Sequence, residues 1–180
     1  MDIIKIDSPF NRDEFLTENM IRLKLVYAPL TRQTIGSTIT TTLFLIISVL
    51  LYFSEGKFNP FIIITLIFAF ITLFLLHVLV SSKNKFKTKI QDLAKKYEDL
   101  KLLGKYEISN EGIDYSDNEK TMNLKWTVFK HFVIYKDYLI ISVGENVENS
   151  FFFSKHEMPA DTFESLLSLV KSKLPQRTIK

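Results

Sequence analysis

"SEGKFNP", Ser54 to Pro60, separates two apolar runs: "TIGSTITTTLFLIISVLLYF" (Thr34 to Phe53) and "PFIIITLIFAFITLFLLHVLV" (Pro60 to Val80). Neither run holds a Lys, Arg, Asp or Glu. A hydrocarbon core about 30 Å thick needs roughly 20 helical residues, and each run has that length. A strand would be far longer than the usual five or six or so residues. Neither run has the polar face of a soluble amphipathic helix. In lipid the backbone must bond within its own segment, which leaves a helix. Two core helices of a soluble protein are the alternative, but a chain of 180 residues has little else to cover them. A secretory signal does not fit, because the first run starts late, is too long and lacks a small-residue cleavage site. "SEGKFNP" therefore reads as the tip of a transmembrane hairpin with spans 34–53 and 60–80 and an outside loop 54–59. Gly56, Asn59 and Pro60 supply turn chemistry, and Pro60 suits the first turn of the second helix.

The flanking charges give the orientation. Arg22, Lys24 and Arg32 precede the first span, and Lys83, Lys85, Lys87, Lys89, Lys95 and Lys96 follow the second. The tip carries one Glu and one Lys. Basic residues in short flanks stay cytoplasmic, so both termini are expected in the cytoplasm of a multi-pass plasma (inner) membrane protein. The formal charge of +3 is concentrated in one place. Residues 83–101 hold seven Lys against three acids, whereas 105–180 hold ten basic and eleven acidic groups. Such a juxtamembrane segment is attracted to anionic headgroups, and these six lysines are the candidate lipid contacts. The part beyond it has no basic face, which argues against nucleic acid as a partner. The absence of Cys fits a reducing compartment without requiring one.

Before the hairpin, "DIIKID" has strand character. "FNRDEFL" starts a helix with Asn11 as N-cap, Glu14 in a capping box and Phe10 and Phe15 at the staple positions. Pro29 should end that helix near Ala28. Residues 1–33 thus form an N-terminal strand and amphipathic helix. After the hairpin, Phe86, Ile90, Leu93, Tyr97 and Leu100 make an a/d stripe on a basic helix over 83–104, with Gly104 as its stop. Two heptads fall short of a coiled coil, so packing on its own domain is favoured over a homodimer. From Lys105 the pattern becomes short strands: "KYEISN", "GIDYS", "KTMNLKW", "HFVIY", "YLIISV" and "SFFFSK", with turns at "SDNE" and "GENVEN". "MPADTFESLLSLVKSKL" is an amphipathic helix that can cover one face of the sheet. "DIIKID" is a candidate seventh strand, within reach if both chain ends lie on one side of the membrane. The expected class is an α+β membrane protein: a two-helix hairpin, then an antiparallel sheet or barrel capped by a C-terminal helix.

A hairpin, a basic helix, "GKYEISNEGI", a strand ending in Trp126, a strand pair, "SFFFSKHEM" and "ADTFESLLSLVKSKL" succeed one another. This layout resembles the bacterial YcxB-like membrane proteins, over the whole chain in outline and over about residues 104–174 in detail. Ser154, followed by Lys155, stands where such proteins commonly have Pro. The resemblance implies a pleckstrin-homology-like split barrel over 105–180 and no known enzymatic activity.

The search for chemistry yields little. No nucleophile elbow, P-loop, dinucleotide fingerprint, zinc-helix or kinase motif occurs, so no catalytic residue, cofactor or metal is expected. His77 lies near the inner end of the second span and reads as an interfacial ring, with an intramembrane role as the alternative. His131 and His156 read as surface or strand-edge residues. Gly36 with Thr40, and Ser37 with Thr41, are small-xxx-small pairs; packing within the hairpin is favoured over a dimer contact. Trp126 reads as core beside Leu124 and Val128, with exposed recognition as its alternative. The function expected is a non-enzymatic binding or scaffolding module at the membrane surface with an unknown protein partner. The alternative is an accessory subunit of a transporter or sensor complex.

Overall fold

The computed structural model describes residues 3–55, 60–144 and 149–178. The hairpin tip at 56–59 and most of the "GENVEN" turn lie outside them. The chain divides into two compact units, Leu23–Lys89 and a second made of Met1–Arg22 with Ile90–Lys180. The layout is α+β: two long apolar helices, two antiparallel sheets and a C-terminal helix.

In the first unit, helix α2 (Ala28–Glu55) and the start of helix α3 (Pro60–Asp99) are both long and apolar enough to cross a membrane. Only 11% and 17% of their most apolar stretches are covered by protein. Core helices of a soluble protein would be buried, whereas here Phe70, Leu73 and Leu66 stand more than half exposed. A line of hydroxyls joins the two helices. Thr72 Oγ1 lies 2.6 Å from Ser37 Oγ and 2.8 Å from Thr41 Oγ1, and Ser48 Oγ lies 2.7 Å from Thr65 Oγ1. Thr41 and Thr65 also donate to their own helix carbonyls four residues back, which satisfies hydroxyls away from water. Of the small-residue pairs, Ser37 and Thr41 face α3. Thr40 is half-buried and donates to the Gly36 carbonyl, and a side chain at Gly36 would meet open space.

Helix α3 departs from the expected division into a span and a separate basic helix. It runs unbroken for 40 residues, because nothing between Val80 and Lys89 breaks a helix. Its end also differs. Lys101 adopts φ 46°, with Lys101 N–H donating to Glu98 O and Leu102 N–H to Tyr97 O at 3.1 Å each. This is a Schellman closure with Lys in the glycine position. Gly104, the expected stop, already lies in strand β2 (Leu103–Ile108).

The second unit begins with strand β1 (Ile4–Pro9), which pairs antiparallel with β2 from Ile4 opposite Ile108 to Pro9 opposite Leu103. The hairpin is therefore an insertion between two neighbouring strands. Strands β3 (Gly112–Ser116) and β4 (Thr121–Lys125) complete a sheet of order β1-β2-β3-β4. At Gly112 an added Cβ would sit 2.1 Å from the Leu124 carbonyl oxygen, so only glycine lets β4 approach. Strands β5 (Phe129–Tyr135), β6 (Tyr138–Val143) and β7 (Ser150–Ser154) form the second sheet. The two-residue turn between β5 and β6 holds Lys136 at φ 54°. Helix α4 (Ala160–Lys173) places Phe163, Leu166, Leu169 and Val170 in a core shared with Ile6, Ile108, Ile113, Phe132, Leu139 and Ile141.

Trp126 is buried in that core, and its Nε1–H donates to Ser109 O at 2.9 Å. The strand ends one residue before it, and Trp126–Val128 make a 3-10 turn that carries the chain from one sheet to the other. Val128, expected beside it in the core, is exposed because of that turn. Helix α1 (Arg12–Val26) starts at Asn11, whose Oδ1 accepts from Asp13 and Glu14 N–H. Phe10, Phe15 and Tyr97 pack as a three-ring cluster with centroids 5.5–5.9 Å apart. Tyr97 of the a/d stripe thus packs on its own unit beside the fully buried Ala94, whereas Leu100 is beyond the helix and exposed.

Candidate functional site

A cavity of about 260 Å³ lies between α1, the inner ends of β1 to β3, and β7 with the corner that follows it. Its walls are aromatic: Tyr106 lies 4.9 Å from Tyr115 and 5.2 Å from Phe153 between ring centroids. Its polar groups come from one stripe of α1. Glu14, Glu18 and Arg22 recur every fourth residue and so share a helix face. Glu157, in the corner between β7 and α4, meets them there. Oxygens of the three carboxylates all lie within 4.8 Å of one another.

Carboxylates this close either share protons or hold a cation. Burial, and next the charge of Glu157, pushes the Glu18 carboxyl up to about 8. Burial, and then the charge of Glu14, pushes Glu157 up as well. Burial and a hydrogen bond with Glu14 raise the Tyr138 hydroxyl, and burial raises that of Tyr106. Glu14 Oε1 is buried with no hydrogen-bond partner among the described residues. The site thus favours a proton on Glu18 near neutrality.

Arg22 does not neutralise the three glutamates by direct pairing. Its Nη1 donates to Asn19 Oδ1 and its Nη2 to Ser150 O, both at 3.0 Å, and its guanidinium stacks 4.7 Å from the Phe152 ring centre. Asn19 is itself buried and donates to Phe15 O. Arg22 therefore clamps α1 to β7, with its pKa lowered by burial.

The sequence reading took Glu14 only as a capping partner and missed the site. The four-residue spacing of Glu14, Glu18 and Arg22 was visible, but such spacing also marks a solvated helix face. Glu157 reaches the group only through the tertiary fold. Of the six candidate lysines, Lys85, Lys87, Lys89 and Lys95 are exposed, and Lys83 is half-buried with Nζ 3.4 Å from Thr31 Oγ1. Lys96 is exposed and pairs with Glu119 at 2.8 Å. His77 is exposed on α3. His156 is exposed, 3.8 Å from Asp137. His131, expected at the surface or a strand edge, lies on the edge strand β5 and is buried there, where the segment around Gln176 and Arg177 bonds along that edge at Phe132. No family model, curated protein or solved structure matches the chain.

Proposed function

We propose that the chain is a two-span protein of the bacterial plasma membrane. Its β-rich unit would be a pleckstrin-homology-like binding or scaffolding module of the YcxB-like kind, held at the cytoplasmic face and without enzymatic activity. The observation that carries this reading is the insertion of the hairpin between paired strands β1 and β2. If the two apolar helices cross a bilayer, strands on either side of them can pair only when both ends emerge on the same face. The lysine excess in the C-terminal part of α3, beyond its apolar run, supports a cytoplasmic assignment of that face. The succession of a four-stranded meander, a three-stranded meander and a closing helix supports the pleckstrin-homology-like reading. Exposed Lys85, Lys87 and Lys89 are suited to anionic headgroups, which would hold the module close to lipid. The cavity, concave and aromatic, offers the module a binding surface.

The hydroxyls Ser37 and Thr41 are engaged inside the hairpin, which favours the module over the accessory-subunit reading. Photo-crosslinking in intact membranes separates the two. A crosslinker at Lys120, on the cavity rim, should capture a partner from the cytoplasm. Capture only from Leu66 or Phe70, on the exposed hairpin face, would transfer the function to the spans.

A further inference from the structure

We propose that Glu14, Glu18 and Glu157 form a proton-operated latch that fastens α1 to the corner after β7, closed while the group holds at least one proton. The geometry has three parts. Two of the acids stand one turn apart on α1, and the third comes from a different element, so their mutual repulsion acts across the contact between the two. Arg22, two turns beyond Glu14, is committed to Asn19, Ser150 O and the Phe152 ring, so it offsets the repulsion without pairing with the acids. The wall behind them offers the hydroxyls of Tyr106 and Tyr138.

These groups face the latch from every side: Glu14 and Arg22 from α1, Glu157 from the corner, Tyr138 from β6 and Tyr106 from β2. Lys120 and Asp117 line the same cavity farther along. Near neutrality Glu18 is held mostly protonated by burial and by Glu157. As the pH climbs through about 8, Glu18 ionises beside its two neighbours in a place with little water. The contact between α1 and the corner then loosens. The helix so released is joined to α2 by the single residue Tyr27, and Thr31 N–H donates to Tyr27 O at 2.9 Å. Alkalinisation on the side of the β-rich unit would therefore be felt first where the chain enters the hairpin.

The chain has no cysteine, so spin labels can be placed at will. Thr17→Cys on α1 and Lys171→Cys on α4 are both exposed. Electron–electron distances between labels at these sites, in the full chain in lipid vesicles, report the latch from about pH 6 to about pH 9. A narrow distribution should broaden or shift with a midpoint near 8. Glu18→Gln should keep it narrow throughout, and Glu157→Gln should move the midpoint downward. His156→Gln should leave the transition where it is. A distribution unchanged over the whole range, or a transition undiminished in Glu18→Gln, would overturn the proposal. Should Glu18→Gln fail to fold, the midpoint in Glu157→Gln decides: a fall supports the latch, and no change removes it.

Discussion

The hairpin and the β-rich unit bury polar side chains in opposite ways. In the hairpin they are hydroxyls, paired across the two helices at Ser37, Thr41 and Thr72 and at Ser48 and Thr65. Each is neutral, and two also bond their own helix carbonyls, so their state is independent of pH. The β-rich unit buries some neutral groups too, such as Asn19 and Ser142, but it also holds three carboxylates crowded against one another, with one oxygen of Glu14 unpartnered among the described residues. A buried hydroxyl needs only a neighbour; a buried carboxylate needs a proton or a counter-charge. The first arrangement holds two helices in register and asks nothing of the surroundings. The second makes the packing of α1 conditional on its medium.

The sharpest way to break this comparison is to ask whether the hydroxyl seam lies in lipid at all. Cysteine at Ser54 should react with an impermeant thiol reagent from outside the cell, and cysteine at Lys171 should not. Reversed labelling would put the acidic cavity on the outer face, and labelling of both would remove the bilayer from the argument.

The next effect concerns the core that backs the cavity. Trp126→Ala removes a buried ring and its bond to Ser109 O, and should lower stability by about 3–5 kcal/mol in thermal or denaturant unfolding. An unchanged melting curve would return Trp126 to the surface.

The carboxylates come third. Glu18 has a folded-state pKa raised above its usual range, so its ionised form is disfavoured by folding. Its penalty is absent at acid pH, grows as pH rises from the ordinary carboxylate range, and is complete above about 8. Between pH 6 and 9, wild type should lose on the order of 2 kcal/mol that Glu18→Gln keeps. The same loss in both proteins would mean that Glu18 is ionised at neutrality. The smallest effect belongs to the hairpin. Thr72→Val removes bonds to Ser37 and Thr41, yet Thr41 retains its own helix carbonyl, so the cost should be about 0.6 kcal/mol and the same at any pH. A pH-dependent cost there would erase the contrast between the units.

Much of the architecture could be read from residue patterns, because those patterns record local constraints. The two uncharged runs announced the helices, and the Asn11 cap and the short strand-like runs beyond Lys105 announced their elements. The pairing of "DIIKID" with the sheet was foreseen as a candidate, yet its partner strand was not, since register is a non-local property. The end of α3 was misplaced because a lysine took the left-handed position that glycine usually fills. The cavity was invisible for a related reason. Three glutamates in a polar chain look like solvated surface until the fold brings residue 157 beside residues 14 and 18.

The pairing of β1 with β2 also sets a schedule for synthesis. Strand β1 is complete by Pro9, but its partner begins only at Leu103, after both apolar helices have been made. Until then β1 has no edge to join, and the newly made β2–β3–β4 meander keeps one edge open. The last stitch in that sheet therefore waits for the two helices, and, if they cross a bilayer, a hairpin inserted with one helix left behind would strand β1 on the wrong face. An unclosed sheet edge, open to proteases and to other strands, would mark such a molecule as misassembled before it was finished.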